Sequence, residues 1–164
     1  ADEKDIAAPA LRDRAQIERD LAEYLGATKT LWIKEGLLND HTDGHVDTLA
    51  RFVKPGVVIC MLPTNPKDPN FTHLKKIQQD LESFTDSRGE KLKVVTIPSP
   101  GMLNGADGDL MPASYVNFYI GNRTVVVPTY GSPHDKEAVA KIAECFPKHR
   151  TVGLSAKAIL SGGG

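Results

Sequence analysis

The chain has 164 residues, enough for one domain, or for part of a larger one, with a sizeable buried core. Its 20 lysine and arginine residues are balanced by 21 aspartate and glutamate residues, so no excess of positive charge indicates a nucleic-acid partner. The longest apolar runs, at 57–62 and 124–128, are far shorter than the roughly 20 residues that span a bilayer. The charged amino-terminal sequence is unlike a secretory signal. We therefore expect a cytoplasmic protein that binds neither membranes nor nucleic acid.

The amino-terminal part is predicted to contain a flexible lead over 1–12, then a helix and a strand. In "RAQIERDLAEYLGA" apolar residues recur at helical spacing, and Gly26 suits the left-handed conformation that ends many helices. The segment "TKTLWI" (28–33) is typical of a strand. A helix followed by a strand is also the end of the repeated unit that follows.

The rest of the chain is predicted to hold two units with the same order of strand, strand, helix and strand. The first unit covers about 47–97, with strands at 47–53, 56–62 and in "KLKVVTIP" and a helix in "DPNFTHLKKIQQDLESF". A loop rich in Gly, Pro, Asn and Asp (98–112) precedes the second unit, which covers about 114–156. This unit is predicted to have strands at 114–120, 124–130 and 150–156. Its helix is predicted at 133–146, with Ser132 as the N-cap. A recurring order of similar length predicts a repeat architecture. We expect one α/β domain over 13–164 with about two and a half such ββαβ units.

The stretch "HTDGHVD" contains the most chemically distinctive pattern. It places His41, Asp43, His45 and Asp47 on alternate positions, and in an extended chain such positions share one face. Side chains of these types can bind a metal ion. They can also do metal-free acid–base chemistry, in which the carboxylate holds a cationic substrate and the histidine moves protons. A solvated loop in which His45 is incidental is the common alternative for an isolated motif.

Two other features support weaker hypotheses. In "ASYVNFYIGN" the alternation predicts Tyr115, Asn117 and Tyr119 on one face of a strand. There the Asn117 amide could orient a substrate or simply bond to neighbouring backbone. The closing "SGGG" (161–164) could bring backbone amides close to a ligand, or it could be a flexible tail.

Three long stretches indicate a family. They are "LWIKEGLLNDHTDGHVDTLARFVKPGVVI", "ASYVNFYIGNRTVVVPTYGSPHD" and "VGLSAKAILSGGG". In order and spacing they resemble the agmatine deiminases and the bacterial-type peptidylarginine deiminases, which are guanidine-modifying enzymes. The resemblance runs from about Ile17 to Gly164. It implies a pentein-like fold, a five-bladed α/β propeller of ββαβ units around a central active site, of which this chain matches the C-terminal half.

The resemblance implies hydrolysis of a guanidinium group to a ureido group and ammonia, without a metal or other cofactor. In agmatine deiminases the substrate agmatine becomes N-carbamoylputrescine, on the way to putrescine. Asp47 matches the family position that binds the planar, permanently charged guanidinium, for which a carboxylate is suited because it accepts paired N–H bonds. His45 matches the acid–base residue that protonates the departing ammonia and then activates water. The resemblance implies no role for Asp43.

The family's nucleophile is a cysteine in a Gly-Gly-Gly-x-Ile-His-Cys pattern, and this chain ends inside the matching loop, at Gly164. Cys60 and Cys145 lie in apolar segments typical of core positions, where burial makes a thiol unreactive. We expect neither to replace the nucleophile, and we expect no disulfide between them. The family's other guanidinium-binding acids come from the N-terminal half. The resemblance therefore implies that the isolated chain is inactive.

Several functions remain open on these grounds. The first is an agmatine deiminase-like hydrolase, with peptidylarginine deiminase as the alternative within the family. The second is a truncated module that folds or binds a partner without catalysis, and a metal hydrolase using His41 and His45 is a third. Because cutting a closed propeller exposes faces that neighbouring blades cover, we expect self-association or binding to the missing N-terminal half.

Overall fold

The computed structural model describes residues 13–40 and 44–161, which divide into two compact bodies. The first body ends at Trp32 and the second begins at Ile33. The predicted lead over 1–12, the motif residues His41 and Asp43, and the three closing glycines lie outside the described residues. The prediction of a single domain over 13–164 stays a prediction.

The first body contains one helix, α1 (Arg14–Leu25). Asp13 caps its start, since the Asp13 side chain accepts the backbone N–H of Gln16 at 2.7 Å. Gly26 ends it in the left-handed conformation that was predicted, with φ 68°. The strand predicted at 28–33 is wrong, because extended backbone becomes a strand only by pairing with another strand and the described residues provide none there.

The second body contains two units, and each unit has the order strand, strand, helix, strand. The three strands of each unit form one sheet. The first unit follows a single helical turn, α2 (Val46–Leu49). It contains β1 (Ala50–Lys54), β2 (Val57–Leu62), α3 (Phe71–Ser83) and β3 (Lys93–Pro98), and its strands form the first sheet. The second unit contains β4 (Tyr119–Ile120), β5 (Thr124–Thr129), α4 (Asp135–Cys145) and β6 (Arg150–Ser155), and its strands form the second sheet. A short helix, α5 (Lys157–Ser161), follows it. In each sheet the middle strand pairs antiparallel with the strand before it and parallel with the strand after the helix.

The core lies between these sheets and their helices. The first five residues of β2 are buried, as the run of apolar and β-branched side chains in "VVICML" requires. Helix α3 contacts β2 and β3, and its buried residues are Leu74, Ile77 and Leu81. Helix α4 contacts β5 and β6 and also β3, so it joins the two sheets into one core.

The first sheet begins later than predicted. Residues 46–49 form α2 instead of the start of a strand, because Thr48 bonds back to the His45 carbonyl with its backbone N–H (3.2 Å) and its hydroxyl (2.7 Å). His45 is the extended residue before this turn, and Asp47 lies in the turn. The prediction that His45 and Asp47 share the face of a strand is therefore wrong.

The second sheet also begins later than predicted. Strand β4 contains two residues, and the backbone at 115–118 is irregular. Tyr115 is buried because its hydroxyl donates to the Asp135 carboxylate (2.6 Å) at the start of α4, whereas Asn117 is exposed. The prediction of one strand face for Tyr115, Asn117 and Tyr119 is wrong.

Two smaller differences concern helices. Helix α4 begins two residues later than predicted, and His134 instead of Ser132 occupies the N-cap position. The Ser132 hydroxyl accepts the His134 backbone N–H at 3.2 Å, so it stabilises the turn that leads into the helix. Helix α5 was not predicted, since its five residues are too few to display a periodic pattern.

Candidate functional site

A cleft of about 530 Å³ in the second body brings together several residues that the sequence singled out. His45 and Asp47 line it from the α2 turn, and Asn117 and Tyr119 line it from the segment that enters β4. Apolar side chains of the second sheet and α5 complete the wall, among them Val126, Pro128, Leu154, Ile159 and Leu160. Residues that lie far apart in the chain thus share one concave surface, which is the usual setting of a ligand site.

A buried carboxylate holds His45. Asp40 accepts the backbone N–H of His45 with Oδ2 at 2.9 Å, and Asp40 Oδ1 lies 3.6 Å from His45 Nδ1. The Asp40 side chain is 2% exposed, whereas the His45 side chain is 50% exposed. Asp40 was missed in the sequence because it is out of phase with the alternating pattern that begins at His41. Only the fold brings it back onto the histidine.

The backbone before Asp40 adopts an uncommon conformation that turns this carboxylate inward. Asn39 has φ 57°, in the left-handed region that Asn tolerates better than most residues. The Asn39 amide donates to the Leu110 carbonyl (3.4 Å), and the Asp40 backbone N–H donates to the Leu37 carbonyl (3.3 Å). The second bond closes the turn, and the first holds the turn against the loop that follows the first sheet.

Three buried hydroxyl groups hold the α2 turn in place. The Ser114 hydroxyl donates to the Thr48 carbonyl (2.7 Å), and the Thr48 hydroxyl donates to the His45 carbonyl (2.7 Å). The Tyr130 hydroxyl in turn donates to the Ser114 carbonyl (3.0 Å). Burial raises the pKa of Tyr130 to about 12, so this hydroxyl keeps its proton at neutral pH. Because buried polar groups that are fully bonded are rigid, the network fixes the backbone that bears His45 and Asp47.

Asp47 is exposed on the wall of the cleft. In the part of the chain that the structure describes, no lysine, arginine or histidine forms an ion pair with its carboxylate. The described lining also contains two aspartates, Asp40 and Asp47, and neither lysine nor arginine. A cleft with this charge favours a cationic ligand over an anionic one.

Neither cysteine lines the cleft, and both are free thiols. Burial raises the pKa of the Cys60 thiol to about 12 and also raises the pKa of the Cys145 thiol. At neutral pH both thiols are therefore protonated. They lack the thiolate character that a nucleophile needs.

Two broader function classes can be compared with the described residues, 13–40 and 44–161. No helix there is long and apolar enough to cross a membrane. No group of three or more His, Cys, Asp or Glu side chains there is placed to bind a metal ion. His41, which the metal hypothesis needs, lies outside these ranges.

The chain is similar to known deiminases in sequence and in structure. Residues 9–164 match the family model of the Porphyromonas-type peptidyl-arginine deiminases. Agmatine deiminase of Pseudomonas fluorescens is 34% identical over 169 residues, which cover 93% of this chain and 46% of that protein. A solved structure of Enterococcus faecalis agmatine deiminase has a TM-score of 0.87 at 32% identity, and the match covers 93% of this chain and 46% of that one. A cysteine-to-serine variant of C. jejuni agmatine deiminase with substrate bound has a TM-score of 0.82 at 25% identity, covering 93% and 44%.

The match extends over nearly all of this chain but less than half of each of these proteins. It confirms the family resemblance that the three long sequence stretches indicated. The α/β class is also confirmed, since this chain has helices and two mixed sheets and superposes on the E. faecalis structure over 93% of its length. On the family match over residues 9–164, this chain belongs to the Porphyromonas-type peptidyl-arginine deiminase family.

Proposed function

We propose that this chain is part of a guanidinium hydrolase whose substrate is agmatine. The observation that supports this most is that His45 and Asp47, at the family's acid–base and guanidinium-binding positions, line one cleft without a lysine or arginine in its described lining. Relatives named agmatine deiminase, in P. fluorescens and E. faecalis, support agmatine as the substrate. The products are N-carbamoylputrescine and ammonia.

The two sheets are, in this proposal, neighbouring blades of a five-bladed propeller. Each has the ββαβ order that the family fold repeats, and each middle strand has one antiparallel and one parallel neighbour. The part of the relatives' length that this chain does not match would supply the other blades. The cleft would then face the axis of the propeller.

Asp47 binds the guanidinium in this mechanism. The group is planar and stays charged at any physiological pH, so it needs a carboxylate that accepts its N–H donors. Asp47 is suited to this because its carboxylate is exposed on the cleft wall and has no ion-pair partner among the described residues. The apolar wall opposite, with Leu154 and Ile159, suits the methylene chain of agmatine.

His45 moves the protons. A cysteine thiolate, supplied by a part of the enzyme that this sequence does not contain, adds to the central guanidinium carbon. His45 then donates a proton to the departing nitrogen, and the C–N bond breaks to release ammonia. His45 next takes a proton from water as the water adds to the same carbon, and the C–S bond breaks to give the ureido product and the free thiolate. One water is consumed, and its second proton goes to the released ammonia, so the net products are the ureido group and an ammonium ion.

The test uses a polypeptide that contains this segment together with the rest of the length its relatives have. We expect it to release ammonia and N-carbamoylputrescine from agmatine, and we expect His45→Ala to lower kcat by about 100-fold or more because proton transfer is lost. The matched control is His134→Ala, which removes a histidine outside the cleft lining. Wild-type protein without turnover, or His45→Ala with undiminished turnover, would contradict the proposal.

Peptidylarginine is the second candidate substrate, because the family model is described by that activity. The same polypeptide should be assayed for citrulline formation in an arginine-containing peptide. If kcat/KM is higher for the peptide than for agmatine, the substrate assignment changes while the roles of His45 and Asp47 stand. If neither is turned over, the chain is a module without catalysis.

A further polypeptide, either a second copy of this chain or the remainder of the enzyme, is proposed to cover the rim of the cleft. Three apolar side chains on this rim are largely exposed: Tyr119 is 70% exposed, Leu154 57% and Ile159 63%. Exposed apolar side chains that cluster around a cleft are typical of a surface that binds another chain.

A further inference from the structure

Asp40 makes two contacts with His45, and they serve different purposes. The bond from the His45 backbone N–H to Oδ2 (2.9 Å) fixes the main chain at the start of the α2 turn. The approach of Oδ1 to the ring nitrogen Nδ1 (3.6 Å) involves the side chain that moves protons in the proposed mechanism. One carboxylate therefore lies against both the main chain and the ring of the same residue.

A merely structural role for Asp40 would require only the first contact. A serine or threonine hydroxyl could accept a backbone N–H equally well without placing a charge in the interior. The Asp40 side chain is almost completely buried, and burying a carboxylate is costly unless a charged or polar partner compensates. The second oxygen faces the imidazole, which becomes a cation whenever it holds the proton that it transfers.

The direction of the contact determines which ring nitrogen reacts. A carboxylate only accepts hydrogen bonds, so an imidazole that turns Nδ1 toward it carries its proton on Nδ1 when neutral. The lone pair then lies on Nε2, on the side of the ring away from Asp40. A histidine held in this way can take a proton from water and give it to a leaving nitrogen through the same atom.

We propose that Asp40 is the positioning residue of His45, holding the imidazole as the Nδ1–H tautomer so that Nε2 performs both proton transfers. This inference rests on the proposed guanidinium hydrolysis for its role in catalysis. In this inference Asp40 acts on the reaction through His45. The other titratable groups lining the same cleft are Asp47, Tyr119 and Tyr130.

The first test is spectroscopic and needs no activity. Long-range ¹H–¹⁵N correlation spectra of ¹⁵N-labelled protein identify the tautomer of His45 while the ring is neutral. We expect the Nδ1–H form in the wild type. In Asp40→Asn the amide oxygen can keep the backbone bond while its NH₂ group faces Nδ1, so we expect the tautomer to change to Nε2–H.

The matched control is Asp68→Asn. Asp68 is also a buried loop carboxylate that accepts a backbone N–H, from Asn70 at 2.9 Å, but it does not line the cleft. The control should leave the His45 tautomer unchanged. A wild-type spectrum of the Nε2–H form would overturn the inference without any variant, and so would an Asp40→Asn spectrum that matches the wild type.

The second test is kinetic and uses the polypeptide that carries the full family length. Because Asp40 acts through the proton-transfer residue, we expect Asp40→Asn to lower kcat by about 100-fold or more and to leave KM within about threefold. A change in KM alone would overturn the inference. If the wild type hydrolyses no guanidinium substrate, the proposed function fails, and the tautomer measurement still decides whether Asp40 orients His45.

Discussion

At the scale of single residues, the surroundings of a side chain decide whether its chemistry can be used. Cys60 and Cys145 have the same thiol group as a catalytic cysteine. Burial raises the pKa of both thiols, so both are protonated at neutral pH. His45 keeps half of its side chain exposed while its ring contacts a buried carboxylate. The cleft thus contains a half-exposed histidine and two carboxylates, and the two cysteines of the chain lie elsewhere.

The thiol of Cys60 is expected to resist alkylation in the native protein. Burial raises its pKa from an ordinary 9.0 to about 12, so at pH 8 the reactive thiolate is roughly 1000-fold scarcer than in the unfolded chain. Iodoacetamide pulses followed by mass spectrometry on Cys145→Ser measure Cys60 alone. The rate should rise with pH well beyond 9. Equal alkylation rates in native and unfolded protein would show that the thiol is not protected.

Sequence patterns singled out His45 and Asp47 as candidate site residues, and the structure places both in one cleft, but those patterns did not predict the residues that hold them. The two lie in a stretch that resembles a known family, and that resemblance did not depend on the strand that was wrongly predicted around them. Asp40 and Ser114 act through contacts that only folding creates. Ser114 bonds to a carbonyl 66 positions away in the chain, and nothing in its local pattern distinguishes it from other serines.

At the scale of elements, long periodic segments were predicted well and short ones poorly. Helices α1 and α3 and strands β2, β3, β5 and β6 lie where the apolar periodicity placed them. These elements have enough residues for a pattern to repeat. Short segments depend on a few local bonds: Thr48 makes two bonds to the His45 carbonyl in α2, and Tyr115 bonds to Asp135 where a longer β4 was predicted. The strand predicted at 28–33 has no pairing strand among the described residues.

Helix α3 should owe its stability to its buried face. Ile77 is fully buried between α3 and the first sheet, so Ile77→Ala removes apolar contacts and leaves a cavity. We expect it to lower the free energy of unfolding by about 2–5 kcal/mol. The control on the opposite face is Gln79→Ala, which should change it by less than about 0.5 kcal/mol. Urea denaturation measures both, and equal effects would mean that α3 is not held by this face.

At the scale of the whole molecule, the apolar rim of the cleft is a surface whose exposure needs explaining. Leu154 and Ile159 are exposed although both are large and apolar. We expect this chain alone to form dimers or larger assemblies. The double substitution Leu154→Glu with Ile159→Glu should weaken the association about tenfold or more, because each substitution removes apolar area that the contact buries. Sedimentation velocity over a range of concentrations measures this.

The control for the association is Phe52→Glu. Phe52 is another exposed apolar residue, but it lies on β1 and does not line the cleft. It should leave the sedimentation behaviour unchanged. A wild-type chain that remains monomeric at tens of micromolar would contradict the expectation, and so would a Phe52→Glu effect as large as that of the double variant.

The bond between the Ser114 hydroxyl and the Thr48 carbonyl also sets an order in time. During biosynthesis the α2 turn leaves the ribosome 66 residues before Ser114 does. At roughly 5–20 residues per second, the turn waits about 3 to 13 s for the hydroxyl that secures it. Until Ser114 is translated, His45 and Asp47 belong to a segment that lacks this support. A nascent chain can therefore complete its first sheet before the segment that places His45 and Asp47 in the cleft is secured.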